Sequence, residues 1–115
     1  MIVDRFDNAL CGCCARAAIG IGYTPSHTKP ILWLCDDPEC IQTAQRTYSM
    51  KQDAFTRQES IAAGKGGEKG GEFLDSIGKT DLASLNDGEW FEFCRRIVAG
   101  YRKGLADALK NEAPF

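Results

Sequence analysis

Six cysteines in 115 residues fall into clusters: Cys11, Cys13 and Cys14 stand together, Cys35 and Cys40 form a second group, and Cys94 is far away. A chain this short buries only part of the surface that a stable fold requires, so a staple carries real weight. Residues 1–7 lack the long apolar core of an export signal, and no stretch approaches the length of a membrane span. The expected location is therefore cytoplasmic, with no membrane contact. Thiols stay reduced there, so clustered cysteines read as metal ligands rather than disulfides.

Structural zinc takes four tetrahedral ligands from Cys and His, and five neighbouring cysteines offer one too many. In Cys11-x-x-Cys14 the intervening loop can turn its amides toward both thiolates while the two sulfurs reach one ion. That spacing selects Cys11 and Cys14 as the first pair, with Cys13 turned away. Cys35 and Cys40 form the second pair, which requires the loop 36–39 to fold back. Replacement of one ligand by His27 or Cys13 is the alternative. The expected cofactor is one structural Zn2+.

The elements around these ligands follow from local signals. Two β-like runs, 18–23 and 31–34, flank turn-forming residues and predict a hairpin. Asp37 can cap a helix whose first position is Pro38, with Glu39 favoured by the helix dipole. Cys40 then lies in the first turn, where free amides stabilise a thiolate. Ile41, Ala44, Tyr48, Phe55 and Ala62 recur at helical steps and predict one long helix, although Lys51 interrupts the stripe. Five glycines among residues 64–71 cost too much in a helix interior and predict a flexible connection. A short helix over 72–77 should stop at Gly78. A last helix should start at Asn86, with Glu89 completing a capping box and Leu85 packing on Trp90. Its apolar stripe runs through Trp90, Cys94, Ile97, Val98, Tyr101, Leu105, Ala108 and Leu109. The expected fold class is α+β, mostly α: a zinc-binding module over 1–63, a glycine-rich connection over 64–71, and C-terminal helices over 72–115. Knuckle, hairpin and long helix in that order resemble a treble-clef zinc finger over roughly residues 11–62, an architecture that by itself implies no function.

Catalytic readings lack parts. His27 is the only histidine, which excludes an H-E-x-x-H protease. The deaminase pattern fails because no glutamate follows in H-x-E spacing. Gly78-Lys79-Thr80 is no phosphate loop, since Phe73 stands where the motif needs its first glycine. Cys94, on an apolar stripe, reads as a small hydrophobe. No base, nucleophile and open metal position assemble from these residues, so the expectation is no enzyme. A formal charge of −2 is not the balance of a nucleic-acid binder. Arg95, Arg96, Arg102 and Lys103 form a candidate partner-binding group, against which stands the ordinary preference of cations for the end of a helix.

The string Cys11-x-x-Cys14, Gly20-Ile21-Gly22-Tyr23, Trp33-Leu34-Cys35, Pro38-Glu39-Cys40, Gly78-Lys79-Thr80-Asp81-Leu82 and Glu89-Trp90 resembles a small uncharacterised family carried by phages and prophages of proteobacteria. The resemblance extends over nearly the whole chain, and Cys11, Cys14, Cys35 and Cys40 match its cysteine pattern, whereas Cys13 does not. It implies no established activity. Small phage accessory proteins act by binding host machinery, so the resemblance implies a non-enzymatic, zinc-stabilised protein whose partner is a host protein or complex. An inhibitor of host defence, such as an anti-CRISPR, is the specific form expected in the host cytoplasm. A nucleic-acid-binding regulatory zinc finger is the second reading.

Overall fold

The turn chemistry between Tyr23 and Leu32 closes a small antiparallel sheet in the computed structural model, which describes residues 5–111. The outermost parts of the segments expected over 1–63 and 72–115 thus lie outside the described residues. Strands β1 (Ile21–Tyr23) and β2 (Leu32–Leu34) pair with Ile21 opposite Leu34 and Tyr23 opposite Leu32. They are followed by helices α1 (Pro38–Ser49), α2 (Gln52–Ile77) and α3 (Asp87–Asn111), with a 3-10 turn at Leu82–Ser84 before the last. The architecture is mostly helical with a two-stranded sheet. Among the described residues no helix is long and apolar enough to cross a membrane.

The capping signals act as their chemistry dictates. Asp37 accepts from the Glu39 amide at 2.9 Å and Pro38 opens α1. Asn86 and Glu89 bond reciprocally, the Glu89 amide donating to Asn86 Oδ1 at 2.8 Å and the Asn86 amide to Glu89 Oε1 at 3.0 Å. Each side chain satisfies a helix amide that would otherwise be left without a partner. Gly78 ends α2 in the left-handed region, φ 67°, where glycine pays no steric penalty.

The long helix expected from Cys40 to Ala62 is broken. Met50 and Lys51 are extended, with ψ of 135° and 148°. On an uninterrupted helix Met50 and Phe55 would point about 140° apart. The two extended residues let both enter the core, at 1% and 0% exposure.

The glycine-rich segment is the larger correction: residues 64–71 are not a connection but the middle of α2. Propensity yields to packing because Gly66 and Gly70 lie against α3. A Cβ at Gly66 would stand 2.5 Å from the Ile97 carbonyl oxygen, and one at Gly70 2.7 Å from Ile97 Cγ1. Across the contact, Gly100 approaches the Gly66 Cα. Missing side chains let the two helices close to backbone distance, and the contact offsets the entropic cost of glycine.

The α3 stripe is covered only in part. Tyr101, Leu105 and Leu109 join Leu32, Leu34, Ala44, Met50 and Phe55 in one buried cluster. Trp90 and Val98, expected in the core, are 45% and 44% exposed. The C-terminal end of α3 is tied to α1, where Arg46 donates to the carbonyls of Leu109 and Lys110, and Lys110 pairs with Glu39 at 2.7 Å. Cationic donors on terminal carbonyls match the helix dipole. Arg5 is buried, donates to the Thr47 carbonyl at 3.0 Å and lies over the rings of Phe6 and Phe55. Burial lowers its pKa, while the charge fields of Tyr48 and Glu59 act in the opposite sense.

Candidate metal centre and the outer face of the third helix

Four cysteine sulfurs converge where the N-terminal loop, β2 and α1 meet. The loop is shaped by its own backbone. Leu10 bridges to Ala17, the Cys11 amide donates to the Arg16 carbonyl at 2.7 Å, and the Ala15 amide donates to the Cys11 carbonyl at 2.9 Å. Ala15, directly after Cys14, takes φ +64°, a left-handed turn that sends the chain back on itself. The knuckle is seated on the hairpin through the Gly12 amide, which donates to the Trp33 carbonyl at 2.9 Å. A Cβ at Gly12 would meet Leu32 Cδ1 at 2.3 Å and the Arg5 carbonyl oxygen at 2.7 Å, so only glycine fits. Cys35 follows β2 directly, and Cys40 sits in the first turn of α1.

The sulfurs of Cys11, Cys14, Cys35 and Cys40 all lie within 4.8 Å of one another, and all four residues are buried. Cys14 and Cys35 are 3.7 Å apart, far beyond a disulfide bond. Four thiolates around zinc at about 2.3 Å would be about 3.8 Å from one another; the Cys14–Cys35 pair already has that separation, and a shift of at most about 1 Å brings the others to it. The Cys13 amide donates to Cys11 Sγ at 3.4 Å, the amide-to-thiolate contact expected of a knuckle. Hydrogen bonds from Cys13, Cys14 and Cys40 hold the Cys11 thiol far below its ordinary range. The same contact with Cys11 pushes Cys14 up to about 12 and Cys40 upward as well. The thiols therefore compete for one negative charge, a conflict that a dication removes. These residues could hold a metal ion such as zinc.

Cys13 is buried but lies outside this foursome. Its single S–H proton is shared between Thr47 Oγ1 at 3.4 Å and the Cys40 carbonyl at 3.7 Å, and its sulfur accepts from Thr43 Oγ1 at 3.7 Å. His27, the other alternative ligand, is exposed in the loop between the strands and is not part of the cluster.

The four cations of the candidate partner-binding group are dispersed. Arg95 and Arg96 both bond Glu92, at 2.9 and 2.7 Å, and Arg96 also lies over the Phe73 ring of α2. Lys103 pairs with Asp107 at 3.0 Å. Arg102 and Lys103 line a cleft of about 380 Å3 that also touches Cys14, Arg16, Asp37 and Glu39, at the join of α3 and the thiol cluster. A second groove, about 570 Å3, runs along the outer side of α3 between Phe91, Cys94, Arg95, Val98, Ala99 and Arg102. Phe91, absent from the predicted stripe, is 57% exposed. Its place three residues before Cys94 and seven before Val98 was the available signal, because it puts all three on one side of a helix.

Neither a curated protein nor a solved structure matches the chain. Residues 53–115, which comprise nearly all of α2 together with α3, match a family of unknown function (DUF6511). The four clustered cysteines precede that match. The match spans more than half of the chain, and the protein belongs to this family of unknown function.

Proposed function

We propose that the protein is a non-enzymatic binding module, stabilised by one structural Zn2+ on Cys11, Cys14, Cys35 and Cys40, that acts by engaging a host protein. The observation that supports this reading is the thiol set: four buried sulfurs within 4.8 Å would satisfy a zinc ion completely and leave it no position for water or substrate. When bound, the ion would supply cross-linking energy to the fold rather than Lewis-acid chemistry. Knuckle, hairpin and ligand-bearing helix, in that order, support a treble-clef-like module. The resemblance to phage-borne proteins supports a host target, with inhibition of a defence complex as the specific form.

The nucleic-acid reading gains nothing from the surface. Arg95, Arg96 and Lys103 are each engaged by a carboxylate of their own helix, and the sequence pI is about 5.4.

Affinity capture of the tagged chain from host lysate, with zinc measured on the same sample, tests the proposal. Expected are about one zinc per chain and a defined protein complex that persists as salt is raised. Recovery of nucleic acid alone, released steeply by salt, or of a metal-free folded chain would overturn it.

A further inference from the structure

We propose that the stretch of α3 from Phe91 to Arg102 is a docking face for an acidic amphipathic helix of a partner protein. The inference rests on the binding function just proposed and names the surface through which it would act.

Phe91, Cys94, Val98, Leu105 and Leu109 follow one another at steps of three, four, seven and four, and so share one side of α3. The C-terminal part of this side is already an interface: Leu105 and Leu109 are 0% exposed, in one buried cluster with the cysteines, Ala44 and Met50. The side continues beyond the reach of the thiol module and there stands open, with Phe91 57% and Val98 44% exposed. Helix α2 does not cover it, because its glycines meet α3 at Phe93, Ile97 and Tyr101. An apolar seam that is filled along half of its length and bare along the other half is unlike a solvated helix surface. Contiguous exposed apolar side chains of this kind mark interaction sites.

Charge selects the occupant. Among the described residues, the six that line the groove include Arg95 and Arg102 and no carboxylate. Arg95 shares Glu92 with Arg96, and Arg102 makes no ion pair among the described residues. A second copy packed about a two-fold axis would set these guanidiniums against their own kind, a costly juxtaposition. A helix with an apolar stripe edged by Asp or Glu meets both the floor and the rim. Phe91 to Arg102 spans about 16 Å at 1.5 Å per residue, or three turns of such a helix. A nucleic acid would leave the apolar floor unused.

The test is titration of the zinc-loaded, 15N-labelled full chain with a helix-stapled peptide of about four turns, bearing Leu along one face and Glu on both flanks. A control peptide carries Lys in place of Glu. Expected are amide shifts confined to the stretch from Phe91 to Arg102 with the acidic peptide. Val98→Glu should abolish them, and Arg102→Glu should weaken the acidic peptide about tenfold and favour the Lys peptide. Both positions are exposed, so thermal unfolding of the two variants should match that of the wild type. Equal binding of both peptides, shifts elsewhere, or no shifts at about 1 mM peptide overturns the proposal. So does a concentration-dependent dimer dissolved by Val98→Glu, which assigns the face to a second copy. Capture of a defined host partner that Val98→Glu leaves intact overturns this face alone. Binding of the acidic peptide without any captured host protein overturns the host-binding reading alone.

Discussion

The Cys13 thiol is hydrogen-bonded to the Thr47 hydroxyl of α1 at 3.4 Å, while the sulfurs of Cys11 and Cys14 lie within 4.8 Å of those of Cys35 and Cys40. The fifth cysteine of the cluster is thus engaged by a helix side chain, and the two roles separate by mutation. Cys11→Ser, Cys14→Ser, Cys35→Ser and Cys40→Ser should each release zinc and destabilise the fold by several kcal/mol, since metal-binding energy is also folding energy. Cys13→Ser keeps a small hydrogen-bonding group against Thr47 and should cost about 1 kcal/mol with zinc retained. Metal content and thermal unfolding of the five variants decide the matter. Loss of zinc from Cys13→Ser alone would reassign the ligands.

The glycines of α2 divide by face, and alanine substitution should change sign between them. Gly66→Ala drives a methyl group to 2.5 Å from the Ile97 carbonyl oxygen and 3.1 Å from the Tyr101 nitrogen, backbone atoms that cannot swing aside. A loss of about 1–3 kcal/mol is expected. At Gly64, Gly67 and Gly71 an added Cβ meets nothing within 4 Å, so each alanine should gain about 0.5–1 kcal/mol from helix propensity and a less flexible unfolded chain. Urea midpoints measure both. A gain at Gly66 would refute the close approach of α2 and α3.

Tyr101 carries a buried hydroxyl without a hydrogen-bond partner among the described residues. Burial, and secondarily the charge of Glu59, push its pKa from 10.0 up to about 12. A raised pKa contributes stability that is fully present below the unfolded value and is lost as pH climbs through the folded one. Tyr101→Phe should therefore be neutral or stabilising by up to about 1 kcal/mol at pH 7, and should flatten the loss of stability between about pH 10 and 12. Denaturant melts at pH 7, 10 and 11 provide the comparison. A variant much weaker than the wild type at pH 7 would mean that the hydroxyl has a partner.

Glu89 accepts from Lys79 and from the Asn86 amide, and these bonds hold its carboxyl below the ordinary 4.5. A depressed pKa contributes stability that is present above the unfolded value and disappears as pH falls through the folded one. Glu89→Gln should accordingly be less stable than the wild type at pH 7, with the difference closing toward pH 3. Release of zinc in acid affects both proteins and cancels in the comparison. Removing the other half of the capping box, Asn86→Ala, should cost about 1 kcal/mol. Parallel urea titrations across pH test both, and a difference that persists at pH 3 would exclude the charge as its source.

The thiol cluster and the helix ends at Asp37, Gly78 and Asn86 were legible in the chain because their determinants are local, whereas the break at Met50 and Lys51 was not. Cys11-x-x-Cys14 brings two sulfurs together within one turn, Asp37-Pro38 starts a helix that carries Cys40, and Asn86 with Glu89 closes a cap three residues long. None of these depends on what lies across the fold. The course of residues 64–71 and the exposure of α3 were decided only in three dimensions. Five glycines disfavour a helix when summed along the chain, and they become helical because Gly66 receives the backbone of α3 and Gly70 its Ile97 and Phe93 side chains, far along the chain. Phe91 and Val98 share the periodicity of Leu105 and Leu109, and periodicity says which side of a helix is apolar. Whether that side is covered depends on where the thiol module ends, a matter of tertiary packing that no local pattern records.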